Sequence, residues 1–205
     1  MTIVCLCNLS RALRLQRAFD VAQALLDEAL LLCKQVGDRW VTALTLAGLG
    51  QLAYEAGSFA DAQRRFEESL TLMRTLNETW NTTHVLHGAG YAALALGDLR
   101  RAQLRLYESL KLATQAELPP RLLDAMLGLA QLAAAMGNSP HALTLTLHTL
   151  CHPAAPQEIR LRAERLRTSL ANDVAPDELA QIEASVAATP LADVVSTLLF
   201  NANID

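Results

Sequence analysis

Residues 38–76 read DRWVTALTLAGLGQLAYEAGSFADAQRRFEESLTLMRTL, and this stretch recurs along the chain at a spacing of 40 residues. Trp40 has its counterpart in Trp80. Gly48 corresponds to Gly88 and Gly128, Gly50 to Gly90 and Ala130, and Gly57 to Gly97 and Gly137. Ala22, Ala62, Ala102 and Ala142 form a further series, as do Leu30, Leu70, Leu110 and Leu150. Several registers holding at one period of this length mark a helical repeat array, in which each unit buries its apolar side against the next.

The composition agrees. The chain has 205 residues, 52% of them hydrophobic, which is enough for one domain with a sizeable core. Aromatic residues make up only 4%, and Ala and Leu dominate, a mixture suited to helices that pack closely through small side chains. The net charge of −4 argues against direct contact with nucleic acid, which a basic face usually serves. The arginines alternate with Glu and Asp, the pattern of solvated helix faces.

Cys5, Cys7, Cys33 and Cys151 show neither a CxxC pair nor a disulfide framework, and are expected to be buried free thiols in a reducing cytoplasm. Cys5 and Cys7 would point about 200° apart on a helix and make a poor metal pair. The opening MTIVCLCNLS has no basic start before its apolar run, so no secretory leader is expected there. No apolar run reaches the roughly 20 residues a membrane span needs.

Taken in order, the helical pattern predicts a first helix over residues 1–15, which begins part-way through the repeat. A segment cut from a longer array would look like this, as would a native start with a short first helix. Further helices are expected over about 19–35, 39–56, 59–76, 79–96, 99–116, 121–136 and 140–151. Gly37 with Asp38 ends one helix and caps the next. Ser58 with Asp61 has the spacing of a capping box. Glu117 to Pro120 is read as a break, and Pro140 as a first helical residue. After Cys151 the repeat decays. Helices over about 157–171, 176–188 and 190–200 then form an expected cap, since the last face of a solenoid meets water. The domain reading is therefore four helix pairs over 1–152 and capping helices over 153–205.

Gly50, Ala62, Phe66 and Ser69 follow a small, small, large, small series. Gly90, Ala102, Leu106 and Ser109 repeat it, and Ser10, Ala22, Leu26, Ala29 and Ala130, Ala142, Thr146, Thr149 are the outer copies. This spacing resembles the tetratricopeptide (TPR) repeat. The resemblance implies an all-α, right-handed superhelical solenoid of TPR-like helix-turn-helix repeats. The family's early Trp is replaced by Leu6, Leu46, Leu86 and Met126, and the period is longer than its usual 34 or so. HEAT and armadillo repeats do not carry this series. More narrowly, the VGDRW-type junction and the tail AERLRTSLANDVAPDELAQIEASVAATPLADVVSTLL resemble arrays at the C-terminal end of bacterial signal-transduction ATPases and maltose-activator-like transcriptional regulators.

In such arrays the first helix of each pair lines a concave groove. Carrying that register over places Arg11 and Arg14 in the first repeat, after Val4 and Cys7. It places Gln51 and Tyr54 in the second, after Leu44 and Ala47. His84, His87 and Tyr91 stand in the third, and Asp124 and Gln131 in the fourth. The resemblance thus implies a protein or peptide ligand in the groove, with a basic end at Arg11 and Arg14, an acidic end at Asp124, and histidines that titrate between. A wet groove that binds nothing specific is the competing expectation.

His84 and His87, or His148 and His152, are spaced to share a metal, but nothing supplies a third ligand at a recognisable interval. No catalytic motif is present. Trp40 and Trp80 are expected to pack against the preceding helix, with a role as partner hot spots the weaker reading. The expectation is a non-enzymatic interaction scaffold without cofactor or metal, cytoplasmic, not membrane-bound, and a sensor segment of a regulatory protein. The alternatives are an oligomerisation module that forms a homo-oligomer, and a metal-binding or enzymatic protein using His84 and His87.

Overall fold

The computed structural model describes residues 2–202, and every regular element among them is an α-helix. Met1 and residues 203–205, which the sequence places in the first helix and in the cap, lie outside the described residues. The chain divides into two compact units, residues 1–97 and 98–205.

The first unit holds α1 (Thr2–Leu15), α2 (Phe19–Val36), α3 (Arg39–Glu55), α4 (Phe59–Leu76) and α5 (Thr79–Ala95). Each helix packs against the one before it, and α1 also meets α3, as α3 meets α5. The second unit holds α6 (Leu99–Gln115), α7 (Pro119–Ala135), α8 (Ser139–Cys151), α9 (Gln157–Leu170), α10 (Pro176–Ala188) and α11 (Leu191–Asn201). Here α9 packs on α8 and α7 just as α3 packs on α2 and α1, while α10 returns to α8 and α11 to α6.

Backbone chemistry sets the helix length. Residues with φ above zero stand at 17, 37, 57, 77, 97, 117 and 137, one every 20 residues. Four are glycines, which reach this left-handed region without a Cβ clash. Arg17 (φ 61), Asn77 (φ 52) and Glu117 (φ 52) adopt it despite a side chain. The closing hydrogen bonds are shared: Ser58 N–H donates to the carbonyl of Ala53 at 2.8 Å, Asn138 to Ala133 at 2.9 Å, and Leu118 to Ala113 at 2.9 Å. This six-to-one closure satisfies carbonyls that the helix end leaves open.

Capping follows the sequence in part. Asp38 accepts from the N–H groups of Trp40 and Val41, and Glu78, Asp98 and Asn138 cap α5, α6 and α8. The capping box at Ser58 and Asp61 does not form. Ser58 makes no side-chain cap bond, and Asp61 pairs with Arg64 and Arg65. The break expected at Pro119 and Pro120 is instead the first turn of α7, where a missing N–H leaves no helix bond unmade. Pro140 stands second in α8, after Ser139, and Pro190 is the residue before α11.

The small–large series forms the core. Ala22, Leu26, Ala29, Ala62, Phe66, Ser69, Ala102, Leu106, Ser109, Ala130, Ala142, Thr146 and Thr149 are all 3% exposed or less, and Gly50, Gly90 and Ser10 are buried with them. In the first unit the Phe66 ring of α4 sits against Gly50 of α3 and Gly88 of α5. Ser69 donates to the carbonyl of Ala43 at 2.7 Å, which satisfies its buried hydroxyl across the α3–α4 contact. In the second unit Ala142, Leu143, Leu147, Leu170, Val174 and Val186 join α8, α9 and α10 around one cluster.

Candidate functional site

The candidate wall of the first unit is built on α1, α3 and α5. Arg14 of α1 forms an ion pair with Glu55 of α3. Gln51, one turn earlier on α3, donates to the same Glu55 oxygen at 2.9 Å. The sequence reading omitted Glu55, although its place four residues after Gln51 puts it on the same face. The basic end expected at Arg14 is therefore neutralised, and Arg11 remains as an exposed cation on α1.

Rings continue the wall from α3 to α5. Tyr54 and Tyr91 meet edge to face, with centroids 6.4 Å apart and an interplanar angle of 88°. His87 stacks at a tilt on Tyr91 at 4.3 Å, and Phe59 of α4 reaches Tyr54 at 5.5 Å. Such tilted and edge contacts suit the aromatic quadrupole. The wall divides by depth. His87 and Tyr91 are 9% and 7% exposed, whereas Tyr54 and His84 are half-buried. Its surface is thus carried by Arg11, Gln51, Tyr54 and His84, and His87 with Tyr91 forms the layer beneath. Phe59 was not singled out in the sequence, because it opens the second helix of its pair and not the first.

In the second unit Asp124 and Gln131 stand on α7, Gln131 half-buried and Asp124 only 8% exposed. Arg162 of α9 lies 2.8 Å from Asp124. Ile159 and Ala163 of α9 pack on Leu123 and Leu127 beside it. The acidic end expected at Asp124 is consequently closed by α9, which covers this face of α7 and neutralises its carboxylate.

Trp40 and Trp80 are 40% and 45% exposed, so neither is a core residue. Cys33 is buried and Cys7 half-buried, but Cys5 and Cys151 are exposed, against the expectation of four buried thiols. Cys7 and Cys33 both reach the Thr45 hydroxyl, at 3.4 and 3.7 Å, and burial pushes the Cys7 thiol pKa up. Among the described residues no three His, Cys, Asp or Glu side chains converge as a metal site would need. No single described helix is long and apolar enough to cross a membrane, though α10 and α11 pass that length and composition test as a pair bent by 104°.

Comparison with known proteins accords with this architecture. Residues 2–75 match the family model for the tetratricopeptide repeat. Two solved structures share the fold, the nearly identical TPR-like repeats of a Podosopora anserina kinesin light chain and a single-residue variant of the same protein. Each is 15% identical to this chain, with a TM-score of 0.69 over 91% of this chain and 93% of that chain. At that identity the likeness shows the fold alone, all-α and built from TPR-like helix pairs. No curated protein matches the sequence.

Proposed function

We propose that this chain is a non-enzymatic scaffold that binds a protein or peptide on the α1–α3–α5 wall. Tetratricopeptide repeats generally mediate protein–protein interaction, and residues 2–75 match that family model. The observation that carries the reading is the continuity of the wall: Arg14 to Glu55 joins α1 to α3, and Tyr54 to Tyr91 joins α3 to α5. Side chains already held against one another lose less rotamer freedom when a partner arrives, so more of each contact appears as affinity. Gln51 offers an amide and Tyr54 a ring to an incoming chain, while Tyr91, itself in contact with His87, packs against Tyr54.

In this reading α9, α10 and the residues after them act as the cap of the array, and the whole is an interaction or sensor segment of a bacterial regulatory protein. The junction and tail sequences support that context. The packing of α9 on α7, with Arg162 against Asp124, supports α9 as part of the cap. Binding partners recovered by the intact chain and by its Gln51→Ala, Tyr54→Ala variant, quantified by mass spectrometry, test the proposal. At least one partner is expected to be lost from the variant while its helical content stays unchanged. Equal recovery of every partner would remove this wall as the binding surface.

A further inference from the structure

In the second unit, α6 and α11 line a groove of about 940 Å³. One face of α6 is core, with Ala102, Leu106, Leu110 and Ala113 fully buried. The opposite face carries Arg100, Leu104, Tyr107 and Lys111 into the groove. These follow one another by four, three and four residues and so form a single stripe along the helix. Leu104 is 59% exposed, and Leu199 of α11 faces the same space.

The charges in the groove are unequal. Asp98 pairs with Arg101 at 3.4 Å and Glu108 with Arg105 at 3.3 Å. Arg100 and Lys111 are exposed and have no acidic partner among the described residues. In a chain of net charge −4, this leaves two uncompensated cations at the two ends of an apolar stripe. Eleven residues of helix place their backbones roughly 16 Å apart.

We propose that this groove docks an acidic amphipathic helix of a partner protein, with acidic residues three turns apart flanking an apolar pair. The two-ended charge decides the class of occupant. A fatty acid or other single-headed anion would satisfy one cation and lay its tail against the other. A helix carrying acid, apolar, apolar and acid at the same four, three, four intervals meets Arg100, Leu104 with Leu199, and Lys111 at once, the helix-in-groove mode of recognition. No described helix of this chain has acids eleven residues apart with apolar residues at the two intervening positions, so a second copy does not supply the occupant.

Fluorescence anisotropy with a labelled synthetic helix tests this on the intact chain. The probe carries glutamates eleven residues apart with leucines four and seven residues after the first, and its control has lysines in place of the glutamates. The glutamate peptide is expected to bind, and to weaken as salt is raised. Arg100→Glu with Lys111→Glu should weaken it about tenfold or more while gaining affinity for the lysine peptide. Leu104→Ala should weaken both pairings. The reciprocal exchange distinguishes a charge contact from misfolding of the variant. Equal binding of the two peptides by the unaltered protein overturns the proposal, as does absence of binding up to about 1 mM. Dodecanoate binding at Arg100 or Lys111, with the glutamate peptide excluded, would also overturn it and assign the groove to a single-headed amphiphile.

Discussion

Gly88 and the ring of Phe66 share a space that admits only one of them: a Cβ at residue 88 would stand 2.5 Å from Phe66 Cζ. Phe66 is fully buried on α4, and a Cβ at Gly50 would meet the same ring at 2.9 Å. The large side chain and the two absent ones are a single packing solution. Gly88→Ala should therefore cost about 1–3 kcal/mol by overpacking, although Ala is the better helix former. Phe66→Leu alone should also destabilise, since it removes ring contacts. Combined with Gly88→Ala, the loss should be clearly less than the sum of the two. Urea midpoints of the four proteins measure this coupling, and strict additivity would mean that the ring moves away freely.

A second prediction concerns the left-handed corner at Glu117. Its φ of 52° lies in the left-handed region that Gly57 (φ 81) and Gly137 (φ 79) also occupy, and its turn bonds follow theirs, so the side chain is carried there at a steric cost. Glu117→Gly should stabilise the protein by roughly 0.5–1 kcal/mol, while Gly57→Ala should destabilise by a similar amount. Thermal denaturation of both checks the sign. A loss of stability in Glu117→Gly would indicate that the Glu117 side chain contributes a favourable contact larger than the backbone strain.

These two cases show what a sequence makes legible. Helix ends, the small–large core and the Asp38 cap all depend on a residue and its near neighbours, and their registers could be read at a period of 40. The Arg14–Glu55 and Asp124–Arg162 pairs join residues 41 and 38 positions apart, so no local pattern encodes them. Register transfer placed His87 and Tyr91 on the wall, but their depth is set by packing between helices, of which the Tyr54–Tyr91 ring contact is one part. The exposure of Cys5 and Cys151 escaped for a related reason: an apolar composition does not say which face of a helix its neighbours leave uncovered.

A third prediction follows from His148 on α8. The residue is 6% exposed, and burial lowers its pKa because the charged imidazolium is poorly solvated there. The unfolded chain then binds a proton at a pH where the folded one does not. This contribution to stability is complete above the unfolded pKa of about 6.5 and is lost as pH falls below it. The urea midpoint should drop between about pH 7.5 and pH 5.5, and His148→Leu should flatten that drop. An unaltered pH profile in His148→Leu would remove this histidine as a source of the acid sensitivity.

The left-handed residues every 20 positions carry an implication for how such a chain can change over time. Corners at 57 and 97 have the same geometry and alternate helices share a role, so a gene that gains or drops the 40 residues between them returns the chain to the same phase. A change of 20 would instead interchange the first and second helices of every pair that follows. Length in this protein is thus free to drift only in whole pairs, and the array can be extended without redesigning a single turn.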